Sequence, residues 1–135
     1  MALYGGPYCV VNMWLTGYTW LHHSDETVPH YDEQAWDWMK GALGTIDRNY
    51  PNFINTLHYN IGSTHVLHHL FSYLPHYNAY EATLYLKQFL GDAYRYDERP
   101  VWRSLLEISK LSVAEQREKG VYYLISEFPY HEKEN

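Results

Sequence analysis

The N-terminal part of the chain is a long stretch without charged residues, and its apolar run predicts a helix. Residues 1–24 contain no Asp, Glu, Lys or Arg, and their most apolar part is YCVVNMWLTGYTWL, residues 8–21. A helix of that length extends for about 21 Å, which is less than the ~30 Å hydrocarbon core of a bilayer. Two interpretations stay open. One is a buried core helix, and the other is the end of a membrane-spanning helix whose start lies outside this sequence, with Trp14, Tyr18 and Trp20 at the interface.

Beyond residue 24, N-cap residues and helix-breaking residues predict a series of short helices. Ser, Asp and Asn side chains cap helix N-termini, Pro fits the first turn, and Gly or a later Pro ends a helix. These signals predict helices over residues 33–43 (capped by Asp32), 64–74 (capped by Ser63, stopped by Pro75), 78–90 (Asn78 with Glu81, closed by Gly91), 100–110 (opened by Pro100) and 112–120 (Ser112 with Glu115).

The remaining segments are predicted as connections, apart from one strand. Residues 24–32 and 47–52 are polar and contain proline, and residues 53–62 have a mixed pattern that assigns no element. VYYLI, residues 121–125, is rich in β-formers, whereas the polar tail PYHEKEN, residues 129–135, is expected to be frayed. The pattern therefore predicts a mainly α protein.

Composition narrows the class of protein. The 135 residues suit one domain, and the net charge of −6 with ten scattered basic residues argues against a nucleic-acid partner. The single Cys9 excludes an internal disulfide and a cysteine-rich zinc site. Aromatic residues make up 18% of the chain, and such chains either bury large rings or lie at a membrane boundary.

HVLHH, residues 65–69, is the strongest chemical signal in the sequence. On a helix, His65, His68 and His69 project from one face, because positions i, i+3 and i+4 are neighbours. Imidazole is a good ligand for Fe, Zn, Cu or Ni, and the apolar residues around these histidines mean that their nitrogens need partners. We therefore predict metal ligation, with a hydrogen-bonded structural cluster as the alternative. A zinc peptidase is excluded, since HExxH requires a glutamate that HVLHH lacks.

Four further polar residues are candidates for the same site. The pair His22 and His23 directly follows the apolar run, and as an isolated pair it is more typical of a surface than of a ligand set. His58 and Asn60 precede the HVLHH motif by seven and five residues. Either could orient a ligand from behind or cap the turn that leads into the helix.

Three segments of the chain resemble one known family. THVLHHLFSYLPHYNAYEATLYLKQFLGDAYRYD, residues 64–97, resembles the third histidine box and the following segment of membrane fatty acid desaturases of the plant and fungal Δ12/ω3 class. WDWMKGALGTIDRNYP, residues 36–51, is similar to the segment that precedes this box. YGGPYCVVNMWLTGYTWLHH, residues 4–23, resembles the last membrane helix and its exit. The resemblance covers residues 4–100.

The resemblance implies the C-terminal part of an integral-membrane helical di-iron desaturase. Residues 1–24 would be the end of the last transmembrane helix, and residues 25–135 a cytosolic helical cap. The family introduces a cis double bond into an acyl lipid or acyl-CoA, using O2, two non-haem Fe ions and electrons from cytochrome b5 or ferredoxin. The implied location is the endoplasmic reticulum membrane, with the plastid membrane as the alternative and the site facing the cytosol.

The resemblance also assigns roles to the candidate residues. It implies that the iron ligands are His65, His68, His69 and His23, and that the residues behind them, or further possible ligands, are His22, Asn60 and His58. Two positions depart from the family pattern, which often has histidine where Asp25 stands and usually has histidine directly before the asparagine, where Tyr59 stands.

The first two histidine boxes of the family are not in this sequence, and we expect the chain not to desaturate a lipid alone. One alternative is a small helical histidine-rich metal-binding module. Another is a hydroxylase, epoxygenase or acetylenase of the same family, since these enzymes share the boxes.

Overall fold

A computed structural model describes residues 2–126, which form six helices and two small sheets. The helices are α1 (Ala2–His23), α2 (Trp38–Ala42), α3 (Asn52–Leu57), α4 (His65–Leu70), α5 (His76–Leu90) and α6 (Val101–Ile108), with 3₁₀ turns at Ile61–Ser63 and Gly91–Ala93. The strands are β1 (His30–Tyr31), β2 (Asp47–Arg48), β3 (Tyr96–Asp97), β4 (Leu111–Glu118) and β5 (Val121–Ser126). The mainly α prediction is confirmed, with the sheets as an addition.

The two sheets join parts of the chain that are far apart in sequence. One sheet has the strand order β1-β5-β4 and is antiparallel, so that the C-terminal hairpin packs back on the segment after α1. The other pairs β2 with β3 in parallel, placing Asp47 opposite Tyr96 and Arg48 opposite Asp97. The β2–β3 pair matters for the site because it fixes two buried charged residues next to the end of α1.

Helix α1 is exposed along its first half and buried at its end. Leu3 and Tyr4 are 87% and 83% exposed, whereas Leu21 and His22 are buried. Among residues 2–126, no helix combines the length and the apolarity that crossing a bilayer requires.

Two apolar clusters form the core. Leu21, Tyr50 and Ile108 join the end of α1 to α6 and to the segment before α3. A second cluster, in which Val66 and Leu67 pack on Leu86, holds α4 against α5. Each cluster therefore fixes one of the two elements that carry the predicted ligands.

The predicted helix over residues 112–120 is wrong, because the segment forms strand β4. The strand pairs antiparallel with β5, and Glu115 lies opposite Tyr123. Ser112 and Glu115 have the spacing of a capping box, but that signal is local. The strand gains a hydrogen-bonded ladder, interrupted by two irregularities, from a β-prone neighbour. The strand predicted over residues 121–125 is confirmed by β5.

The predicted helix over residues 33–43 is only five residues long in the structure. The carboxylate of Asp32 does accept a hydrogen bond, from the N–H of Ala35 at 2.8 Å, but the turn that it closes does not continue. Asp37 is the residue that caps α2, accepting from the N–H of Lys40 at 2.9 Å. Two competing aspartates divide the segment into a turn and a short helix.

Two other helices are shorter than predicted. The predicted helix over residues 64–74 corresponds to α4, which ends where Phe71 adopts φ −135° and ψ 60°. Ser63, its predicted N-cap, belongs to a 3₁₀ turn. The predicted helix over residues 100–110 corresponds to α6, which begins one residue after Pro100 and ends at residue 108. Proline precedes this helix rather than occupying its first turn.

Helix α5 begins earlier than its predicted capping box. It starts at His76, directly after Pro75, and the N–H of Asn78 donates to the carbonyl of Pro75 at 3.0 Å. Asn78 is therefore in the first turn and is not the N-cap. The predicted end is confirmed, since the helix stops at Leu90 before Gly91, whose φ is +51°.

The predicted connections contain short elements. Residues 24–32 include strand β1, residues 47–52 include β2, and residues 53–62 form most of α3 and part of a 3₁₀ turn. The tail over residues 129–135, which was predicted to be frayed, lies outside the described residues.

Replacing Gly120 with alanine is expected to lower the free energy of unfolding by about 1–3 kcal/mol. Gly120 has φ +77°, and a Cβ there would lie 2.8 Å from the Cβ of Ala35 and 2.8 Å from Oδ1 of Asp32. Urea unfolding of the purified chain measures the effect. The matched control is Gly91→Ala, which has the same sign of φ but no atom within 4 Å of the new Cβ. An equal cost at both positions would show that the close contact has no energetic effect.

Candidate metal centre

Three histidines from two elements that are distant in sequence converge at one place in the structure. Nε2 of His65 lies 3.3 Å from Nε2 of His23 and 3.2 Å from Nε2 of His69. One ligand atom from each of the three residues lies within 4.8 Å of the others. His23 is the last residue of α1, and the other two lie one turn apart on α4, so the structure brings together three of the four predicted ligands.

His68 is placed differently from the other predicted ligands. Its ring centre lies 5.9 Å from that of His65 and 6.1 Å from that of His69, and its side chain is exposed. It lines a cavity of about 230 Å³ whose wall is formed by His58, Tyr59, Ile61, Thr64, Leu67, His68, Phe71, Leu74, His76 and Ala79. Ligation by His68 stays a prediction.

His23 is oriented by the chain that follows α2. Its Nδ1 lies 3.2 Å from the carbonyl oxygen of Gly44, which can only accept, so Nδ1 carries the proton in this contact. The lone pair of neutral His23 is then on Nε2, the atom that faces His65. A backbone carbonyl behind an imidazole fixes its tautomer and ring orientation in the same way at many metal sites.

His22 is fully buried, and the hydrogen bonds of its ring nitrogens go to residues outside the three-histidine cluster. Its Nδ1 donates to the carbonyl of Ile46, and its Nε2 is 3.1 Å from the hydroxyl of Tyr50. Both ring nitrogens thus have partners, while the ring packs against that of His65 with centroids 4.4 Å apart. This arrangement suits a residue that supports a ligand, and ligation by His22 itself would require one of its hydrogen bonds to break.

The two remaining candidates, His58 and Asn60, belong to the turn that precedes α4. Nδ1 of His58 is 2.8 Å from the hydroxyl of Tyr18, so this side chain contacts α1. Asn60 follows Tyr59 in the left-handed region, with φ values of 61° and 53°, and its carbonyl accepts from the hydroxyl of Thr64 at 3.0 Å. Asn60 therefore closes the turn that sets the start of α4.

Burial favours the neutral form of the His65 and His69 imidazoles, which is the form that binds a metal. Burial, together with the neighbouring imidazoles, lowers the pKa of His65 to about 2. Burial and the nearby His23 lower the pKa of His69 to about 4. Neither ring competes for a proton at neutral pH, so a cation could bind without displacing one.

The donor set fits a transition-metal ion. Three imidazole nitrogens converge without a thiolate, and this chemistry suits Fe, Zn, Cu or Ni. Nδ1 of His65 is buried and has no hydrogen-bond partner among the described residues, and with Nε2 facing two other ring nitrogens the residue is poorly satisfied by the protein alone. A bound ion would take up the converging Nε2 lone pairs, with the proton of His65 then on Nδ1.

The buried charged residues that contact the end of α1 and the start of α4 are not among the residues predicted from the sequence. Arg48 is completely buried, and its guanidinium contacts the carboxylates of Asp25 and Asp97. Asp47 is also completely buried and accepts a hydrogen bond from the N–H of Val66. The only signal for them in the sequence is that Asp47 is followed directly by Arg48, in the short segment between His23 and His65.

The fold and the cluster place the chain in a class of mainly helical proteins in which imidazoles from separate helices converge and could bind a metal ion. The family model for fatty acid desaturases matches residues 1–100, and the chain belongs to this family. The resemblance noted in the sequence is thereby confirmed. No solved structure matches the chain significantly.

Curated relatives from plants agree with this family. The Delta(12)-fatty-acid desaturase of Arabidopsis thaliana is 45% identical over 128 residues, which are 91% of this chain and 33% of that protein. The endoplasmic reticulum omega-6 fatty acid desaturase of Brassica juncea is 44% identical over 128 residues, with 91% and 33% covered. The Delta(12)-acyl-lipid-desaturase of Punica granatum is 47% identical over 105 residues, with 78% and 27% covered. The chain spans about a third of the length of these relatives.

Proposed function

We propose that the chain supplies the third histidine box and the adjoining ligand of an acyl-lipid desaturase with two non-haem irons. The observation that supports the proposal is the convergence of the ring nitrogens of His23, His65 and His69. His23 and His65 are 42 residues apart in the sequence. His68, which lies outside this cluster, is proposed as a further iron ligand because the family resemblance implies it. His22, His58 and Asn60 support the ligands from behind.

The chain's own residues hold and shield the metal in this proposal. Bound iron supplies the reduction of O2 and the removal of hydrogen from an unactivated methylene group, which ordinary acid–base side chains cannot perform. His65 is only 8% exposed, and Val66 and Leu67 beside it are buried, so α4 excludes water from one side of the site. Gly44 and Ile46 keep the two histidines of α1 in fixed orientations.

The same proposal places the chain at a membrane. Residues 1–24 would end the last transmembrane helix, and residues 25–135 would form a cytosolic cap. The exposed apolar side chains in the first half of α1 support this assignment. The endoplasmic reticulum is favoured by the names of two relatives. An acyl lipid or acyl-CoA would be the substrate, and cytochrome b5 or ferredoxin the electron donor.

A second candidate function is a single-ion module. Three imidazole nitrogens around one point match a tetrahedral zinc site with an open fourth position. Such a module would bind one ion per chain and catalyse no reaction.

The proposed function is tested by building a chimera. The chain replaces the matching third of the Arabidopsis relative, and fatty acid profiling of yeast that expresses the chimera measures the product. We expect diunsaturated acyl chains to accumulate, and the same chimera with His69→Ala to produce none, because one of the converging donors is lost. A chimera that is made in normal amounts but is inactive, with one zinc and no iron bound to the purified chain, would contradict the enzyme and favour the module.

A further inference from the structure

Two adjacent residues of β2 contact the two elements that carry the converging histidines. Asp47 reaches the start of α4, and Arg48 reaches the end of α1. Both side chains are completely buried. Since neighbouring side chains of a strand point in opposite directions, one dipeptide can contact structures on either side.

The contacts of Arg48 hold the end of α1. Its Nε donates to the carbonyl of Leu21 at 2.7 Å, and the carbonyl of His22 accepts from Oγ1 of Thr45 at 3.0 Å and from the N–H of Ile46 at 3.2 Å. The last four carbonyls of a helix have no partner inside it, so these bonds satisfy groups that would otherwise be orphaned. A cation at a helix C-terminus is also electrostatically favourable. The position of His23, the next residue, follows from these bonds.

The guanidinium is itself held in place by carboxylates. Its Nη2 lies 2.7 Å from Oδ2 of Asp25, and its Nη1 donates to Oδ2 of Asp97, which also accepts from Oγ of Ser104 at 2.7 Å. A buried guanidinium with carboxylates on two sides has little freedom to change its geometry. The carbonyl of Leu21 is thus bound to a rigid donor.

The contacts of Asp47 hold the start of α4. Its Oδ1 accepts from the N–H of Val66 at 2.8 Å, and its Oδ2 accepts from the hydroxyl of Tyr94. Thr64, the residue that precedes α4, makes no side-chain capping bond, so Asp47 performs this role from a distant part of the chain. The position of His65, next to Val66, follows from this bond.

We propose that Asp47 and Arg48 are positioning residues that set the separation between His23 and His65. The inference rests on the proposed metal centre. It identifies the residues that hold the end of α1 and the start of α4 at a fixed distance from each other. Metal–ligand distances tolerate only about ±0.2 Å, so a small shift of either helix end removes a donor from the ion. Neither residue contacts the metal in this proposal.

Titration of the purified chain with Co²⁺, whose visible absorption reports its coordination geometry, tests the inference. We expect Asp47→Ala to weaken Co²⁺ binding about 10–100-fold and to change the spectrum, as supporting residues of metal ligands do. Asp47→Asn should rescue binding, because its amide oxygen still accepts from Val66. The matched control is Asp37→Ala, which removes a similar cap from α2, a helix without histidines, and should leave the spectrum unchanged.

A second measurement on the metal-free chain separates this inference from the proposed function. The rings of His23 and His65 have centroids 5.3 Å apart, close enough for a nuclear Overhauser effect between their protons. This effect should be present in the wild type and in Asp37→Ala and lost in Asp47→Ala. A wild type that binds no Co²⁺ would overturn the metal centre, while the ring contact would still decide the positioning role.

The inference is overturned if folded Asp47→Ala keeps both the wild-type affinity and the ring contact. If that variant does not fold, Tyr94→Phe replaces it, since this change removes one of the two partners of the carboxylate. Loss of one such hydrogen bond should weaken Co²⁺ binding about threefold. Unchanged binding and an unchanged ring contact in Tyr94→Phe would equally overturn the inference.

Discussion

Replacing His65 with alanine is expected to abolish metal binding by the chain, with a loss of affinity of more than about 100-fold, because a direct ligand matters more than a residue that supports it. His65 is the central member of the cluster, since its Nε2 is within 3.3 Å of both partner nitrogens. Co²⁺ or Fe²⁺ titration followed by absorbance measures the affinity.

The same substitution should have a small effect on the stability of the metal-free chain. Alanine removes a buried ring, which is unfavourable, but it also removes Nδ1, a buried polar atom without a hydrogen-bond partner. Thermal unfolding without metal checks this expectation. The matched control is His76→Ala, an exposed histidine outside the cluster, which should leave metal binding intact. Tight binding by the His65→Ala chain would refute the centre.

Replacing Arg48 with methionine is expected to destabilise the fold by about 3 kcal/mol, because the carboxylates of Asp25 and Asp97 would lose their fully buried cation and keep only the partly exposed Arg99. Urea unfolding followed by circular dichroism measures the loss. The control is Arg103→Met, which breaks an exposed pair with Glu107 and should cost less than about 1 kcal/mol.

A second set of variants identifies the cause of that loss. Adding Asp25→Asn and Asp97→Asn to Arg48→Met removes the two carboxylates that lost their buried cation and should recover part of the stability, since Arg99 still pairs with Glu107. If the triple variant is no more stable than Arg48→Met alone, the loss comes from packing and not from uncompensated charge.

The grouping of His65 and His69 was predictable because its signal is short-range. Spacing places His65 and His69 on one face of a helix whatever the rest of the chain does, and the structure has them one turn apart. The pairing of His23 with this helix was accessible only through the family resemblance, because no local pattern relates residues separated by 42 positions.

The features that were missed depend on partners remote in sequence. Strand β4 carries a capping-box spacing at Ser112, and only the adjacent hairpin strand overrides it. Likewise, Asp47 and Arg48 lie in a segment predicted as a connection, and their burial results from contacts with α1, α4 and β3. Charged residues are expected at the surface unless they are paired, and a single sequence does not indicate which pairs will form.

The bonds at the end of α1 have a mechanical consequence. Each residue advances a helix by about 100° around its axis, so a rotation of α1 by a single step would carry the ring of His23 away from α4. Hydrogen bonds from Arg48, Thr45 and Ile46 to the carbonyls of Leu21 and His22 would break in such a rotation, and they therefore oppose it. A torque applied along the exposed half of this helix would therefore be borne by the ionic cluster before it reached the imidazoles.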